Sequence, residues 1–274
     1  MKKRILALAL VLLAIPIMSA LPVQAITWGE EDTLNEYENV GVIIYHHTDP
    51  SYYDLLCSGT LVYEGNGGAG AVFLTAAHCT ETLLRAKSAG IIDDVYVSFD
   101  PLHPDDGSTW KSVADIVTHP DYNPMTNRPD VGVLILETNV DGIAPATLPS
   151  EGFLNNLRST RELRPKGSKG ALFTVAGYGG FLDWPPPSID YLDTRRYGYS
   201  QFQALLKTQL VLSQNHAKTG EGGTCYGDSG GPVFWEDTLV AVTSWGDAMC
   251  VATGFYYRID TAEALNFIDD YLLD

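Results

Sequence analysis

The most informative stretch of this 274-residue chain is a serine set among glycines, in Gly227-Asp228-Ser229-Gly230-Gly231-Pro232. A serine hydroxyl is a weak nucleophile at neutral pH and needs an imidazole to accept its proton. The pattern G-x-S-x-G also marks the nucleophile elbow of α/β-hydrolases, where the histidine follows the serine along the chain. Here all six histidines precede Ser229, and the apolar segment after it favours a strand. The sequence therefore excludes that triad and places the base upstream.

Two earlier segments could supply the base and the carboxylate that orients it. His78, in Leu74-Thr75-Ala76-Ala77-His78-Cys79, is predicted at the end of an apolar strand, beside a cysteine that can hold it in place. Asp130 begins the apolar run Asp130–Leu136, and burial there would let it fix the imidazole and stabilise its charged form. We predict that His78, Asp130 and Ser229 converge as a catalytic triad.

The elements that must position these residues are mostly strands. Apolar or alternating runs of five to seven residues, rich in Val, Ile, Tyr, Phe and Thr, are separated by Gly, Pro, Asn and Asp, which is typical of an all-β sandwich or barrel. The predicted strands are Val40–Tyr45, Gly59–Tyr63, Ala71–Thr75, Val95–Phe99, Val131–Leu136, Leu172–Ala176, Gln209–Leu212, Pro232–Trp235 and Leu239–Trp245. Helical periodicity is clear at Thr261–Leu273 and weak at Leu83–Ala89.

The first 25 residues have the pattern of a secretory signal peptide. A basic head precedes an apolar run that is shorter than the ~20 residues of a membrane-spanning helix, and Val23-Gln24-Ala25 fits the cleavage rule. We expect residues 1–25 to be removed, Ile26 to begin the mature chain, and the protein to be secreted, either extracellular or periplasmic. Cleavage after Ala20 and an uncleaved membrane anchor are the alternatives.

Charge and cysteine content limit the classes of partner and cofactor that this protein is expected to bind. The formal charge of −17 argues against binding to nucleic acid or to anionic membranes. The four cysteines, Cys57, Cys79, Cys225 and Cys250, suggest two disulfides in an exported chain, and three pairings are possible. The sequence has no CxxC or HExxH pattern, so we expect no metal and no other cofactor.

The three motifs, in this order, resemble the trypsin/chymotrypsin family of serine proteases: His-Cys after Thr-Ala-Ala, Asp before an apolar strand, and Gly-Asp-Ser-Gly-Gly-Pro. The resemblance covers nearly all of the mature chain. It implies two six-stranded antiparallel β-barrels packed together, a C-terminal α-helix, and a crevice between the barrels that holds the site. The protease domain would be 26–274, with the barrel boundary near 145–170. The implied disulfides are Cys57–Cys79 and Cys225–Cys250.

The resemblance also assigns roles around the nucleophile. Ser229 would attack a peptide carbonyl, with His78 as base and then acid, and the N–H groups of Gly227 and Ser229 would form the oxyanion hole. A freed N-terminal Ile26 would turn inward and pair with Asp228. Thr27 and Trp28 depart from the family pattern there. We therefore expect signal cleavage itself to create the activating terminus, without a separate zymogen step.

The substrate-binding residues implied by the resemblance surround a primary specificity pocket: Gly223, Thr224, Tyr226, Ser244, Trp245, Gly246 and Gly254. Because the pocket base is Gly223 rather than an acid, we expect cleavage after uncharged residues, apolar or aromatic, in protein or peptide substrates. We expect the protein to be a monomer.

The main alternative to an active protease is a catalytically inactive relative that only binds partners. An esterase on another fold is opposed by the position of all six histidines before Ser229.

Overall fold

The computed structural model describes residues 26–49, 52–66, 70–102, 107–164, 170–183, 188–191 and 194–272. The predicted signal peptide, 1–25, lies outside the described residues. No helix within those ranges has the length and hydropathy needed to span a bilayer.

Fifteen strands and four helices follow one another within the described ranges. The strands are β1 (Glu30–Glu31), β2 (Val40–His47), β3 (Tyr53–Tyr63), β4 (Val72–Thr75), β5 (Ile92–Ser98), β6 (Lys111–Thr118), β7 (Gly132–Leu136), β8 (Leu172–Gly177), β9 (Gly180–Asp183), β10 (Ser188–Tyr191), β11 (Arg196–Leu205), β12 (Gln209–Ser213), β13 (Pro232–Trp235), β14 (Thr238–Gly246) and β15 (Thr253–Arg258). The helices are α1 (Ala77–Ser88), α2 (Phe153–Ser159), α3 (His216–Thr219) and α4 (Ala262–Asp269).

Twelve of the strands form two closed antiparallel barrels, which confirms the predicted fold class. The first barrel has the order β2-β3-β4-β7-β6-β5, and β5 pairs back with β2. The second has the order β8-β11-β12-β15-β14-β13, and β13 pairs back with β8. The N-terminal strand β1 joins the second barrel by pairing with β11, so the segment that follows Ile26 lies against the barrel that carries Ser229.

The strands close into barrels because their two faces bury different apolar sets. In β4, Phe73 belongs to the core inside the first barrel. Val72 and Leu74 point the opposite way, into a cluster shared with the second barrel. That shared cluster also holds Phe234 and Val242, so it forms the contact between the barrels. The crevice that the resemblance implies therefore lies along a buried apolar interface.

Helix α1 begins six residues before the weakly predicted segment Leu83–Ala89. Strand β4 ends at Thr75, so His78 lies in the first turn of α1 rather than at the end of a strand. The C-terminal helix is confirmed as α4. The Thr261 side chain accepts a hydrogen bond from the Ala264 N–H and so caps its first turn.

A buried ion pair joins the N-terminal segment to both barrels. Arg195 Nε donates to Asp32 Oδ2 at 2.8 Å, and both side chains are fully buried. Arg195 Nη1 also donates to the carbonyl oxygens of Val40 and Phe99 in the first barrel. The guanidinium of Arg195, which directly precedes β11 of the second barrel, therefore connects the segment after Ile26 to the first barrel.

Candidate active site

His78 and Asp130 lie side by side, as predicted. His78 Nδ1 is 3.0 Å from Asp130 Oδ2 and 3.1 Å from Oδ1, and the His78 backbone N–H donates to Oδ1 at 3.0 Å. Asp130 is completely buried, whereas 27% of the His78 side chain is exposed. The carboxylate thus fixes both the ring and the backbone of His78, and Nδ1 is the donor in this pair. That leaves Nε2 as the ring nitrogen able to accept a proton.

Two further side chains complete the shell around Asp130. Asn127 Nδ2 donates to Asp130 Oδ2 at 2.9 Å and to Ser244 Oγ at 3.0 Å, and Ser244 Oγ donates to the same carboxylate oxygen. Ser244 was predicted as a substrate-binding residue, and here it also supports the carboxylate. Asn127 was not predicted, because its sequence signal is only a turn-forming Asn-Arg-Pro run. Its φ of 51° is one that asparagine tolerates better than most residues.

The backbone of Ser229 lies beside the first turn of α1, which carries His78. The Ser58 N–H donates to the Ser229 carbonyl at 2.9 Å, and Cys79 Sγ lies 3.8 Å from that oxygen. Ser229 thereby sits against the residue that follows His78. Within the described residues, no hydrogen bond joins the Ser229 hydroxyl to His78. Such contacts are often long in the absence of substrate and shorten in the complex.

The turn before Ser229 has the geometry that its glycine suggested. Gly227 adopts φ 93°, a value that disfavours residues with a Cβ. Its carbonyl accepts a 3.0 Å hydrogen bond from Ser58 Oγ, which fixes the direction of the peptide. Among the described residues, neither the Gly227 N–H nor the Ser229 N–H donates to a protein acceptor. Both donors are free to bind an anionic oxygen.

Asp228 and Ile26, the predicted activation pair, are in contact. Both residues are fully buried, and the Ile26 backbone nitrogen donates to the Asp228 carboxylate. The N–H groups of Cys225 and Gly179 donate to the same carboxylate at 2.8 and 2.9 Å. Burial raises the pKa of Asp228 to about 7, although these three N–H donors act in the opposite direction.

The two departures from the family pattern have structural consequences. Thr27 pairs with Gly223 through hydrogen bonds in both directions, of 2.7 and 3.2 Å. Trp28 adopts φ 62°, a conformation that glycine reaches more easily. Its ring stacks on His216 at a centroid distance of 4.0 Å, which stabilises the strained residue. The N-terminal residues therefore contact the base of the predicted pocket as well as Asp228.

Both predicted disulfides are present. Cys57 is bonded to Cys79, next to His78, and Cys225 is bonded to Cys250. Cys57, His78 and Cys79 also bring three potential metal-binding atoms within 4.8 Å of one another, but the two sulfurs are joined to each other. This group is therefore not a metal site in the oxidised protein.

A cavity of about 230 Å³ opens beside Ser229. It brings together most of the predicted substrate-binding residues; its lining includes Thr224, Tyr226, Ser244, Trp245 and Gly246. Gly223 and Gly254 do not line it directly. Gly254 pairs with Gly246 across β14 and β15, and Gly223 pairs with Thr27. Trp245 stacks face to face on Phe255 at 3.7 Å, so its ring is held at the rim.

One loop of the rim is organised by a single carboxylate. Asp247 accepts hydrogen bonds from the backbone N–H groups of Met249, Val251, Ala252 and Thr253. Partial burial alone would raise the pKa of Asp247, but the four donors outweigh it and hold the pKa below its usual value. The segment from Asp247 to Thr253 is therefore closed on itself next to the cavity.

His119 is a histidine outside the predicted triad, and the structure gives it a packing role. It is 6% exposed and packs on Phe267 of α4, and its Nδ1 accepts the Asp121 N–H at 3.2 Å. Burial lowers the pKa of His119, although the charges of Glu263 and Asp121 oppose this shift. Its contacts are those of a packing residue away from Ser229.

Comparisons with known proteins identify the family to which the chain is similar. The family model described as Trypsin matches residues 26–268. The chain is 22% identical to "Trypsin, alkaline B" of Manduca sexta, over 90% of this chain and 91% of that protein. It is 29% identical to "Cationic trypsin-3" of Rattus norvegicus, over 63% and 64% of the two chains.

A solved structure of HL collagenase superposes with a TM-score of 0.63, covers 88% of this chain and 96% of its own, and is 19% identical. At that identity the superposition supports the fold alone. The match of the family model to most of the chain goes further, and this protein belongs to the trypsin family of serine proteases.

Proposed function

We propose that this protein is a secreted, monomeric serine endopeptidase that cleaves protein or peptide substrates through an acyl-enzyme intermediate. The observation that carries the proposal is the His78–Asp130 pair, held by four hydrogen bonds on one buried carboxylate, with Ser229 fixed against the neighbouring disulfide. An inactive binding relative would have no need to keep the imidazole in one tautomer beside a serine.

In the proposed reaction, Ser229 Oγ attacks the substrate carbonyl carbon while His78 Nε2 takes the hydroxyl proton. The buried Asp130 carboxylate stabilises the imidazolium that forms. His78 then donates the proton to the leaving amine, the C–N bond breaks, and an ester to Ser229 remains. Water repeats the sequence with His78 again as base and releases the acid product.

The charge that develops on the carbonyl oxygen would be met by the N–H groups of Gly227 and Ser229. Support comes from the absence of other acceptors for them among the described residues and from the Ser58 bond that holds the carbonyl of Gly227. Removing one donor of this kind typically lowers the rate on the order of 10²–10³-fold.

The cavity beside Ser229 would bind the side chain on the acyl side of the cleaved bond. Thr224, Tyr226, Ser244, Trp245 and Gly246 supply uncharged walls. Asp247 also lines the cavity, but its carboxylate is engaged by four backbone N–H groups of its own loop. Gly254 lies opposite Gly246 on the neighbouring strand. An uncharged residue, apolar or aromatic, is the side chain that this lining accommodates.

Activation would follow directly from export. Cleavage between Ala25 and Ile26 converts the buried Ile26 nitrogen from an amide into an ammonium, next to the Asp228 carboxylate it already contacts. The new opposite charge would compensate a carboxylate that is otherwise costly to ionise in a buried site. No second proteolytic step would then be needed.

Labelling by a fluorophosphonate probe tests the nucleophile. We expect the mature protein to be labelled and Ser229→Ala to be unlabelled, whereas Ser159→Ala, at an exposed helix position, keeps full labelling. Labelling of Ser229→Ala at the wild-type rate would refute the assignment. A folded wild type that is neither labelled nor able to cleave a peptide library would favour the inactive binding relative.

The activation proposal needs a separate test. We expect N-terminal sequencing of the active, exported protein to begin at Ile26. A refolded chain that starts at Ile26 should be active, and the same chain with one extra N-terminal alanine should lose most of its activity. Equal activity in the two forms would rule out a role for the free terminus.

A further inference from the structure

A buried glutamine, Gln214, lies behind the cavity and was not among the predicted pocket residues. It directly follows β12 and is 1% exposed. Its backbone N–H donates to the Ala252 carbonyl at 3.0 Å, within the loop that Asp247 organises. The position of Gln214 is thus fixed by the same segment that forms the rim.

The contacts of the carboxamide define which of its two atoms lies on the side of Gly246. Nε2 donates to the Thr224 carbonyl at 2.5 Å and lies 3.2 Å from Thr224 Oγ1. A carbonyl can only accept, so the nitrogen must point to Thr224 and Oε1 must point away from it. Oε1 lies 3.2 Å from the point where a Cβ on Gly246 would stand, and Gly246 lines the cavity.

Oε1 is buried and has no hydrogen-bond partner among the described residues. Leaving such an acceptor unpaired is unfavourable, because it loses its hydrogen bonds to water and gains none in the protein. A ligand that brings a donor to this point recovers that energy, and a ligand of the same shape without a donor does not. The orphaned oxygen therefore points to a ligand group with an N–H or O–H at its tip.

Gln214 also explains the glycine at the predicted pocket base. A Cβ on Gly223 would stand 2.3 Å from Gln214 Cγ, so the space that a side chain at 223 would use is already filled. The acid that trypsin-like members carry at this position cannot be accommodated here. A neutral acceptor takes its place, and it cannot compensate the charge of a lysine or arginine.

We infer that Gln214 determines the specificity of the proposed protease by accepting a hydrogen bond from the tip of the bound side chain. The carboxylate of Asp247, which also lines the cavity, is already engaged by four N–H groups of its own loop, so the acceptor offered to the ligand is the neutral Gln214 oxygen. This selects an aromatic side chain that ends in a hydroxyl, so tyrosine is preferred over phenylalanine. The inference rests on the proposed function for turnover, but the preference itself concerns binding in the cavity.

The test uses peptide substrates that differ only in tyrosine or phenylalanine before the cleaved bond. We expect kcat/KM to be roughly 5- to 10-fold higher for tyrosine, the worth of one neutral hydrogen bond. In Gln214→Met, which keeps an unbranched chain of similar length, the ratio should fall to about one. Gln209→Met is the matched control, because Gln209 is another buried glutamine, at the start of the strand that Gln214 follows, and it should keep the wild-type ratio.

A second variant guards against misfolding of Gln214→Met. Gln214→Glu keeps an oxygen at the same place and adds a negative charge, so cleavage after lysine should appear in it and be absent from the wild type. A wild-type ratio near one, or a ratio that stays high in Gln214→Met, overturns the inference. So does a Gln214→Glu variant that remains folded and active on tyrosine but gains no lysine cleavage.

Binding separates this inference from the proposed function. N-acetyltyrosine amide and N-acetylphenylalanine amide can be titrated into Ser229→Ala and followed by NMR. A preference for the tyrosine ligand that disappears in Ser229→Ala/Gln214→Met supports the role of Gln214 even without any turnover. Equal affinities would overturn it even if the protein is an active protease.

Discussion

The backbone N–H of Ser58, in the first barrel, donates a 2.9 Å hydrogen bond to the carbonyl of Ser229, in the second. The Ser58 hydroxyl adds two bonds on the same side: it donates to the Gly227 carbonyl at 3.0 Å and accepts the Tyr178 N–H at 2.9 Å. One residue of the first barrel thus holds the carbonyls of the two residues whose N–H groups are proposed to bind the oxyanion.

Replacing Ser58 by alanine should therefore affect both stability and turnover. The buried Tyr178 N–H loses its acceptor, so the free energy of unfolding should fall by about 1–3 kcal/mol, measured by urea denaturation. The released Gly227 peptide should lower kcat more than it changes KM. Ser88→Ala, which removes a hydroxyl at the exposed end of α1, serves as control and should change neither quantity appreciably. Indistinguishable effects of the two variants would contradict this role of Ser58.

Asn127→Leu should slow the reaction without weakening substrate binding. The variant removes a donor to the buried Asp130 carboxylate, and a hydrogen bond to a charged group is worth about 1.5–3 kcal/mol. We expect kcat to fall roughly 10- to 100-fold with KM nearly unchanged. The exposed helix variant Asn156→Leu should behave like the wild type. A large rise in KM at constant kcat would show that Asn127 acts on the substrate instead.

The raised pKa of Asp228 predicts how stability depends on pH before processing. In a chain that still continues before Ile26, burial raises this pKa from 3.8 to about 7. Between these values the native state retains a proton that the unfolded chain releases. Its stability should therefore fall as pH rises, by up to about 1.4 kcal/mol per pH unit.

Urea unfolding from pH 4 to 7 measures this slope, and Asp228→Asn in the same unprocessed chain should remove it. In the form that begins at Ile26, the ammonium lowers the pKa of Asp228 and should flatten the curve. Parallel curves for the processed and unprocessed forms would argue that the terminus does not reach Asp228.

Arg195→Met should be among the most destabilising single changes. It leaves Asp32 buried without its cation, which typically costs about 3–5 kcal/mol. Arg85→Met removes an exposed ion pair with Glu81 one helical turn away and should cost only about 0.3–0.5 kcal/mol. Thermal and urea unfolding compare the two variants directly. A loss of less than 1 kcal/mol for Arg195→Met would mean that the N-terminal segment does not depend on this clamp.

Sequence reasoning recovered strands that read as apolar runs and missed several others, among them β6, β11 and β15. Strand β4, with all four residues buried, reads as an apolar run. Strand β6 carries Lys111 and Asp115 on a partly exposed face, and β11 alternates with polar residues and contains Gly198, so neither stands out. Tertiary pairing, rather than local pattern, determines these strands.

The same distinction applies to the site. The sequence was sufficient to predict the triad, because His78, Asp130 and Ser229 each lie in a short motif with its own chemistry. The disulfide pairing followed only from the family resemblance. Asn127 and Gln214 lie in no such motif. Their importance comes from contacts with Ser244, 117 residues away, and with Thr224, after an intervening short helix. Such contacts exist only after folding, so the sequence alone could not identify them.

Asp247 accepts hydrogen bonds from the N–H groups of its own loop, and this affects how the sequence of this member of the trypsin family could vary. Because one carboxylate satisfies the backbone from Met249 to Thr253, the shape of that loop depends little on the identities of its outward side chains. Ala248, Met249 and Val251 project into solvent beside the cleft. Natural variation or laboratory selection at these three positions can therefore reshape substrate preference while the scaffold beneath them stays intact.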